Sequence, residues 1–260
     1  MKMSVNEKDK NWIIVPIGNC IQYIGEEIIQ TTVLQRSIIN LSGMQAFLNL
    51  AKGTFVKNKK ALEGIEFLIK EQRFLEEKSK ELISSNYNSI NSHSLVNLWA
   101  SIETAIEDTI VYVFMYAPDA LCDLESNGYN IKKFLSGEFT EESSRKLYRS
   151  YEGQVRKSER SIGSAYSRMM EVLGLKVDLS DSEKSMLAEI NAIRNCIMHR
   201  GGILDKKAAH DIVSNRHCVG QKIKVSNELY LEYYEVISKF ASTLLRASTE
   251  SKYIVVNTNC

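Results

Sequence analysis

Proline is nearly absent, with Pro16 and Pro118 the only two in 260 residues. Proline breaks helices because it lacks an amide donor and clashes with the preceding turn, so long helices are permitted almost everywhere. Cysteine has no useful pattern. Cys20, Cys122, Cys196, Cys218 and Cys260 are odd in number and scattered, which excludes a disulfide framework and a CxxC zinc knuckle and points to reduced thiols. Long apolar runs are missing as well. The longest, around 110–117, is too short to span a bilayer, and the opening MKMSVNEKDKNW lacks the apolar core of a signal peptide. The expectation is a cytoplasmic protein without a membrane partner. An excess of one charge sign is also lacking: a net charge of +1 argues against a protein that coats nucleic acid indiscriminately, while leaving room for a local basic face. No internal repeat or low-complexity tract is visible.

What is present is enough apolar matter for a core. With 44% hydrophobic and 25% charged residues the chain forms one large or two modest domains. Apolar residues recur at spacings of three and four through most of the chain, which makes it all-α, an antiparallel helical bundle with at most a small β-hairpin. After the ambiguous opening WIIVPI, helices are expected over 21–51 and 58–83, with a polar break at 86–92. In SLVNLWASIETAIEDTIVYVF, residues Leu95, Leu98, Trp99, Ile102, Ala105, Ile106, Ile110 and Val113 share one stripe, while Glu103 and Glu107 share another. That helix ends before Pro118. A less regular stretch over 119–139 leads to helices at 140–158 and 160–173. QKIKV reads as a small strand or hairpin arm, and 227–248 as the last long helix.

The helix over 181–200 has clear limits. Ser180 and Glu183 form a capping-box pair at its start, and Gly201 supplies a left-handed residue at its end. Met186, Leu187, Ile190, Ile193 and Ile197 mark its buried stripe. Its last turns hold EINAIRNCIMHRGG, where Arg194 and His199 lie about 140° apart around a regular helix and Asn195 shares a face with His199. A helix-terminal His and Arg also serve simply to balance the helix dipole and cap carbonyls. Cys196, beside Ile193 and Ile197, reads as a packed small residue rather than a nucleophile. Together with His199, His210, His217 and Cys218 it makes no recognised metal-ligand spacing, so neither metal nor cofactor is expected.

IRNCIMHRGG resembles the Arg-(Asn/Asp/His)-x3-His motif of HEPN domains, an all-helical superfamily rich in metal-independent endoribonucleases of defence, toxin and RNA-processing systems. LVNLWASIETAIEDTI is similar to the long helix of that fold, with Trp99 followed four positions later by Glu103. The resemblance covers about 92–248. It divides the chain into a HEPN-like helical domain over 91–260 and an N-terminal helical extension over 1–90 that the resemblance leaves unexplained. It implies catalytic roles for Arg194, Asn195 and His199, a site assembled by a homodimer, and RNA as substrate. HEPN toxins silenced by a nucleotidyltransferase tend to carry Tyr two residues after the His. This chain has Gly201 there, so that partner is not expected, although another regulatory or defence-system partner is compatible with the motif.

The chemistry suits those residue types. Metal-independent cleavage by the 2′-OH needs a base, an acid and positive charge on the phosphorane oxygens. His199 serves as base or acid and Arg194 as the phosphate fork, with Asn195 orienting either and Glu103 a candidate to hold Arg194. A basic stretch over 130–170 offers phosphate contacts through Lys132, Lys133, Arg145, Arg149, Arg156 and Arg160, with Tyr148, Tyr151 and Tyr166 interleaved for base stacking. The same stretch also fits a solvated helix face with its tyrosines half in the core. The alternative function is a catalytically silent HEPN module that binds RNA or nucleotide, or a dimerisation scaffold.

Overall fold

The computed structural model describes residues 11–135, 139–212, 214 and 217–254. Cys260 and Glu138, one of the acids in the basic stretch, lie outside them. The described residues form eight α-helices: α1 (Val15–Thr54), α2 (Lys59–Ser84), α3 (Asn88–Tyr116), α4 (Ala120–Ser126), α5 (Glu141–Ser158), α6 (Ile162–Val172), α7 (Asp181–His199) and α8 (Asn227–Thr249). The fold is all-α. QKIKV does not make a full strand arm, because only one antiparallel bridge, between Ile203 and Lys222, forms there. WIIVPI is helical: a 3-10 turn at Trp12–Ile14 runs into α1. Pro16 is tolerated because first-turn amides have no helical acceptor.

The expected break at 86–92 shrinks to the turn before Asn88, where Asn86 (φ 51°) and Tyr87 (φ 57°) adopt left-handed backbone. The residues that follow are helical, not a loop, because the buried Asn91 and Ser94 have partners. Asn91 is fully buried and donates to the Val225 carbonyl at 3.1 Å while accepting from Gln35 Nε2 at 2.8 Å. Ser94 accepts from Thr31 at 3.0 Å and lies 2.8 Å from the Tyr230 hydroxyl. Within the stretch expected to be irregular, α4 forms because Ala120, Leu121 and Leu124 bury one face.

Two compact units emerge. Among the described residues, one takes 11–25, Leu95–Ile223 and 232–254; the other takes Glu26–Ser94 and Lys224–Leu231. The first has an apolar core. All eight residues of the expected α3 stripe are buried, joined by Phe114, Tyr151, Tyr166, Tyr233 and Phe240. Trp99 and Tyr166 rings lie 6.2 Å apart, and Tyr166 stacks on Phe240 at 6.5 Å. α6 approaches α7 closely at Gly163, where a Cβ would stand 2.5 Å from the Lys184 carbonyl oxygen, so only glycine fits.

Start signals are local. Thr140, Ser161 and Ser180 cap α5, α6 and α7 by accepting the Ser143, Ser164 and Glu183 amides. In α7 the capping box is complete, with Glu183 Oε2 accepting the Ser180 amide at 2.8 Å. Glu183 also pairs with Lys239 of α8. The Lys239 ammonium, the Ser180 amide and the Ser180 hydroxyl pull the Glu183 carboxyl down to about 2. The buried side of α7 is displaced from the expected stripe: Leu187, Ile190 and Ile193 are buried, but Ala188, Glu189, Ala192 and Cys196 replace the half-buried Met186 and Ile197.

Glu189 explains that displacement. Its buried carboxylate accepts from the Tyr233 hydroxyl at 2.7 Å, from Ser214 Oγ at 2.6 Å and from the Ser214 amide at 3.0 Å. A buried carboxylate is tolerated when hydrogen-bonded in this way. It turns α7 so that an acidic residue faces inward.

Candidate functional site

α7 remains helical through His199, and the chain leaves the helix at Arg200 (φ −135°). Gly201 (φ 60°) and Gly202 (φ 78°) then take left-handed conformations that favour glycine, and the Gly202 amide reaches back to the Cys196 carbonyl at 3.0 Å. His199 is exposed on this last turn. Arg200 is tied to Asp205 at 2.8 Å, fixing the exit loop beside it.

Arg194 points to α3. Its Nη2 forms an ion pair with Glu103 Oε2, and its Nη1 donates to Asn195 Oδ1 at 2.7 Å. Asn195 Nδ2 in turn donates to Asn191 Oδ1 at 3.3 Å. Asn195 therefore braces Arg194 here, although its spacing also places it on the face of His199. Glu103 receives a second, longer contact from the Tyr166 hydroxyl at 3.5 Å. Burial, then the neighbouring Glu103 carboxylate, pushes the Tyr166 hydroxyl well above the usual phenol range and keeps it a donor.

This arrangement gives the Trp99/Glu103 pair a physical meaning. Trp99 is buried against Tyr166, Tyr166 borders Glu103, and Glu103, one turn along α3, holds Arg194. Arg194 keeps 19% of its side-chain surface exposed and Glu103 29%, so the guanidinium is braced but open on one side. Asn191 was not singled out from the sequence, and Tyr166 was read there as a base-stacking ring, not as a partner of Glu103. Asn191 stood one turn before Asn195 and was detectable by spacing; Tyr166 comes from α6, and no local pattern links it to α7.

The basic stretch separates into engaged and open groups. Arg145 donates to Glu107 and Asp108, both at 2.7 Å, and to Glu141 at 3.0 Å. Burial opposes its charge, yet the carboxylates of Asp108, Glu107 and Glu141 outweigh that and hold the guanidinium charged. With its donor fork committed to three acids, Arg145 is a structural clamp and leaves the set of phosphate contacts. Tyr148, Tyr151 and Tyr166 are core residues and offer no ring face to a base. Tyr151 donates to the Met169 carbonyl at 3.0 Å. Arg156 pairs with Glu152 at 2.8 Å but keeps 45% of its side chain exposed. Burial works against its charge, and Glu152, Tyr166, Tyr148 and Glu103 raise it, so Arg156 shares the electrostatic surroundings of Glu103. Lys132, Lys133, Arg149 and Arg160 are exposed.

Cys196 is 1% exposed and burial raises its thiol, which opposes thiolate formation. Among the described residues, no three His, Cys, Asp or Glu side chains gather as a metal-binding group, and no helix is long and apolar enough to cross a membrane. No protein-family model, curated protein or solved structure matches this chain.

Proposed function

We propose that the chain is a HEPN-type endoribonuclease that cuts RNA without a metal, at a site completed by two copies, and that it acts in anti-phage defence or as a toxin. The observation that carries this reading is the placement of Arg194, Asn195 and His199. They lie in order at the open end of one helix, with the Arg braced by an acid from the helix that the HEPN resemblance singles out.

The reaction needs more than one copy supplies. The RNA 2′-oxygen attacks the adjacent phosphorus, its proton passes to one imidazole, the bond from phosphorus to the 5′-oxygen breaks, and a second imidazole protonates that oxygen. Two His199 side chains meet this need, while Arg194 stabilises the equatorial oxygens of the phosphorane. A two-fold contact beside the motif is supported by exposed apolar side chains at Met198, Ile203 and Val219. Glu103 is a positioning residue, since it acts through Arg194. Lys132, Lys133, Arg149, Arg156 and Arg160 supply backbone contacts.

The test is incubation of the purified chain with RNA in EDTA, followed by mapping of the ends. Products should carry 2′,3′-cyclic phosphate and 5′-hydroxyl groups, and DNA should resist because it lacks the attacking hydroxyl. Arg194→Ala should lower the rate by about 10²- to 10³-fold through lost charge stabilisation. Glu103→Gln should cost less, since the guanidinium survives but loses its brace. A binding-only module is the second reading, favoured by the Arg194–Glu103 pair already occupying part of the guanidinium. It requires RNA retention without any cut.

A further inference from the structure

The second unit mixes polar and apolar side chains inside and leaves other large apolar ones outside. On α1 Thr31, Gln35, Ser42 and Gln45 turn inward beside the buried Ile38 and Leu48, and on α2 Gln72, Glu76 and Ser79 do so beside Ile65 and Ile69. Gln72 Oε1 and Glu76 Oε2 are buried there with no hydrogen-bond partner among the described residues. Several large apolar side chains face outward: Ile29 is 63% exposed, Val33 58%, Phe47 65% and Leu50 74% on α1, with Phe67 and Phe74 both 63% on α2. Exposed apolar surface on this scale marks an interaction site.

We propose that the outer face of α1 is a self-association surface, on which α1 of a second copy packs through the groove at Gly43. Three properties of that face favour a second copy. Ile29, Val33, Arg36, Asn40, Gly43, Phe47 and Leu50 repeat at four and three, the spacing of a helix-to-helix seam. Within it, Ile39, Asn40, Met44 and Phe47 surround Gly43 as an open groove, and a Cβ at Gly43 would meet nothing within 4 Å, so a large side chain from a facing helix finds room.

Charge gives the second argument. From 37 to 51 the helix carries no charged residue, whereas α2 alternates Lys, Arg and Glu along its length. A two-fold contact brings the same surface against itself, and beyond Arg36, along 37–51, no like charges oppose one another, so that part of the face is self-complementary. The Asn40 amide, both donor and acceptor, is equally able to meet its own copy. Area gives the third. With about 150 to 250 Å² for each aromatic side chain, and somewhat less for Ile, Val and Leu, the exposed Ile29, Val33, Leu34, Ile39, Phe47 and Leu50 of α1 offer roughly 600 Å². That approaches the ~800 Å² per partner of a standard interface.

This surface is distinct from the contact beside α7, and the inference stands whether or not the chain cuts RNA. The test uses the full chain. Light-scattering mass at micromolar concentration is compared for the wild type, Phe47→Glu/Leu50→Glu and His199→Ala. Gly43→Cys is oxidised mildly, with the wild type, whose described exposed thiols are Cys122 and Cys218, as the background. The double Glu variant should halve the mass and retain its helical circular dichroism, while His199→Ala leaves the mass unchanged. Gly43→Cys should form a covalent dimer that the wild type does not, and lose it when combined with Phe47→Glu/Leu50→Glu. An unchanged mass in the Glu variant, together with no Gly43→Cys crosslink, overturns the proposal. That result would hold equally if a membrane surface or a different protein covers the face. Loss of RNA cleavage with the mass intact would count against the catalytic reading alone.

Discussion

In the unit that carries α7, the large side chains point inward. Trp99, Phe114, Tyr151, Tyr166 and Phe240 are buried together, and the acid among them, Glu189, is satisfied by Tyr233 and Ser214. In the unit built on α1 and α2, amides and hydroxyls share the interior with Ile38 and Leu48 while Phe47, Leu50, Phe67 and Phe74 face out. Both units have helices with heptad-like spacing, yet only the first has a core that accounts for its own apolar residues. Periodicity fixes which residues share a face. It does not fix which face has a neighbour, because that is decided by what else packs against the helix.

The sharpest break in this comparison is a core truncation on the α7 side. Trp99→Ala should cost about 3 to 5 kcal/mol in chemical denaturation, since it removes the ring that supports Tyr166. A loss under 1 kcal/mol would mean that this unit is as loosely built as the other. In the unit built on α1 and α2 the equivalent weakness is polar. Asn91→Ala should cost about 1 to 3 kcal/mol, by leaving the Val225 carbonyl without its partner and the Gln35 amide with Asn227 alone. Asn91→Leu should not recover that loss, because the Val225 carbonyl stays unpaired. Recovery would show that the seam prefers apolar contacts.

A smaller effect sharpens the comparison through pH. The folded Glu183 carboxyl lies at about 2 against an ordinary 4.5, so its contribution is fully present above pH 4.5 and fades as pH falls towards 2. Glu183→Gln should flatten the stability profile in that window and cost roughly 1 kcal/mol at neutral pH through the lost cap. An unchanged acid profile would separate the Lys239 contact from the stability of α7.

Much of the α7 unit was legible in the sequence. The α3 stripe from Leu95 to Val113, the limits of α7 and the pairing of Glu103 with Arg194 rest on helical spacing, cap chemistry and a family motif, all local in the chain or carried by the resemblance. What was misread depends on long-range partners. Residues 88–92 looked like a break because their side chains are polar, but Val225 and Gln35 satisfy Asn91 inside the fold. Met186 and Ile197 looked more buried than they are because Glu189 finds Tyr233 and Ser214. Tyr148, Tyr151 and Tyr166 looked available to bases because they are interleaved with Arg and Lys, yet they fill the core. Arg145 looked like a phosphate contact until Glu107 and Asp108, on α3, closed on it.

The most direct measurement is cleavage of RNA by the purified wild type and by His199→Ala, in EDTA, with end-group mapping of the products. The wild type should release 2′,3′-cyclic phosphate and 5′-hydroxyl ends, and His199→Ala should lose about 10²- to 10⁴-fold in rate while keeping its helical content. Cleavage that stops in EDTA, leaves 5′-phosphate ends or persists in His199→Ala would contradict a metal-independent site built on Arg194 and His199.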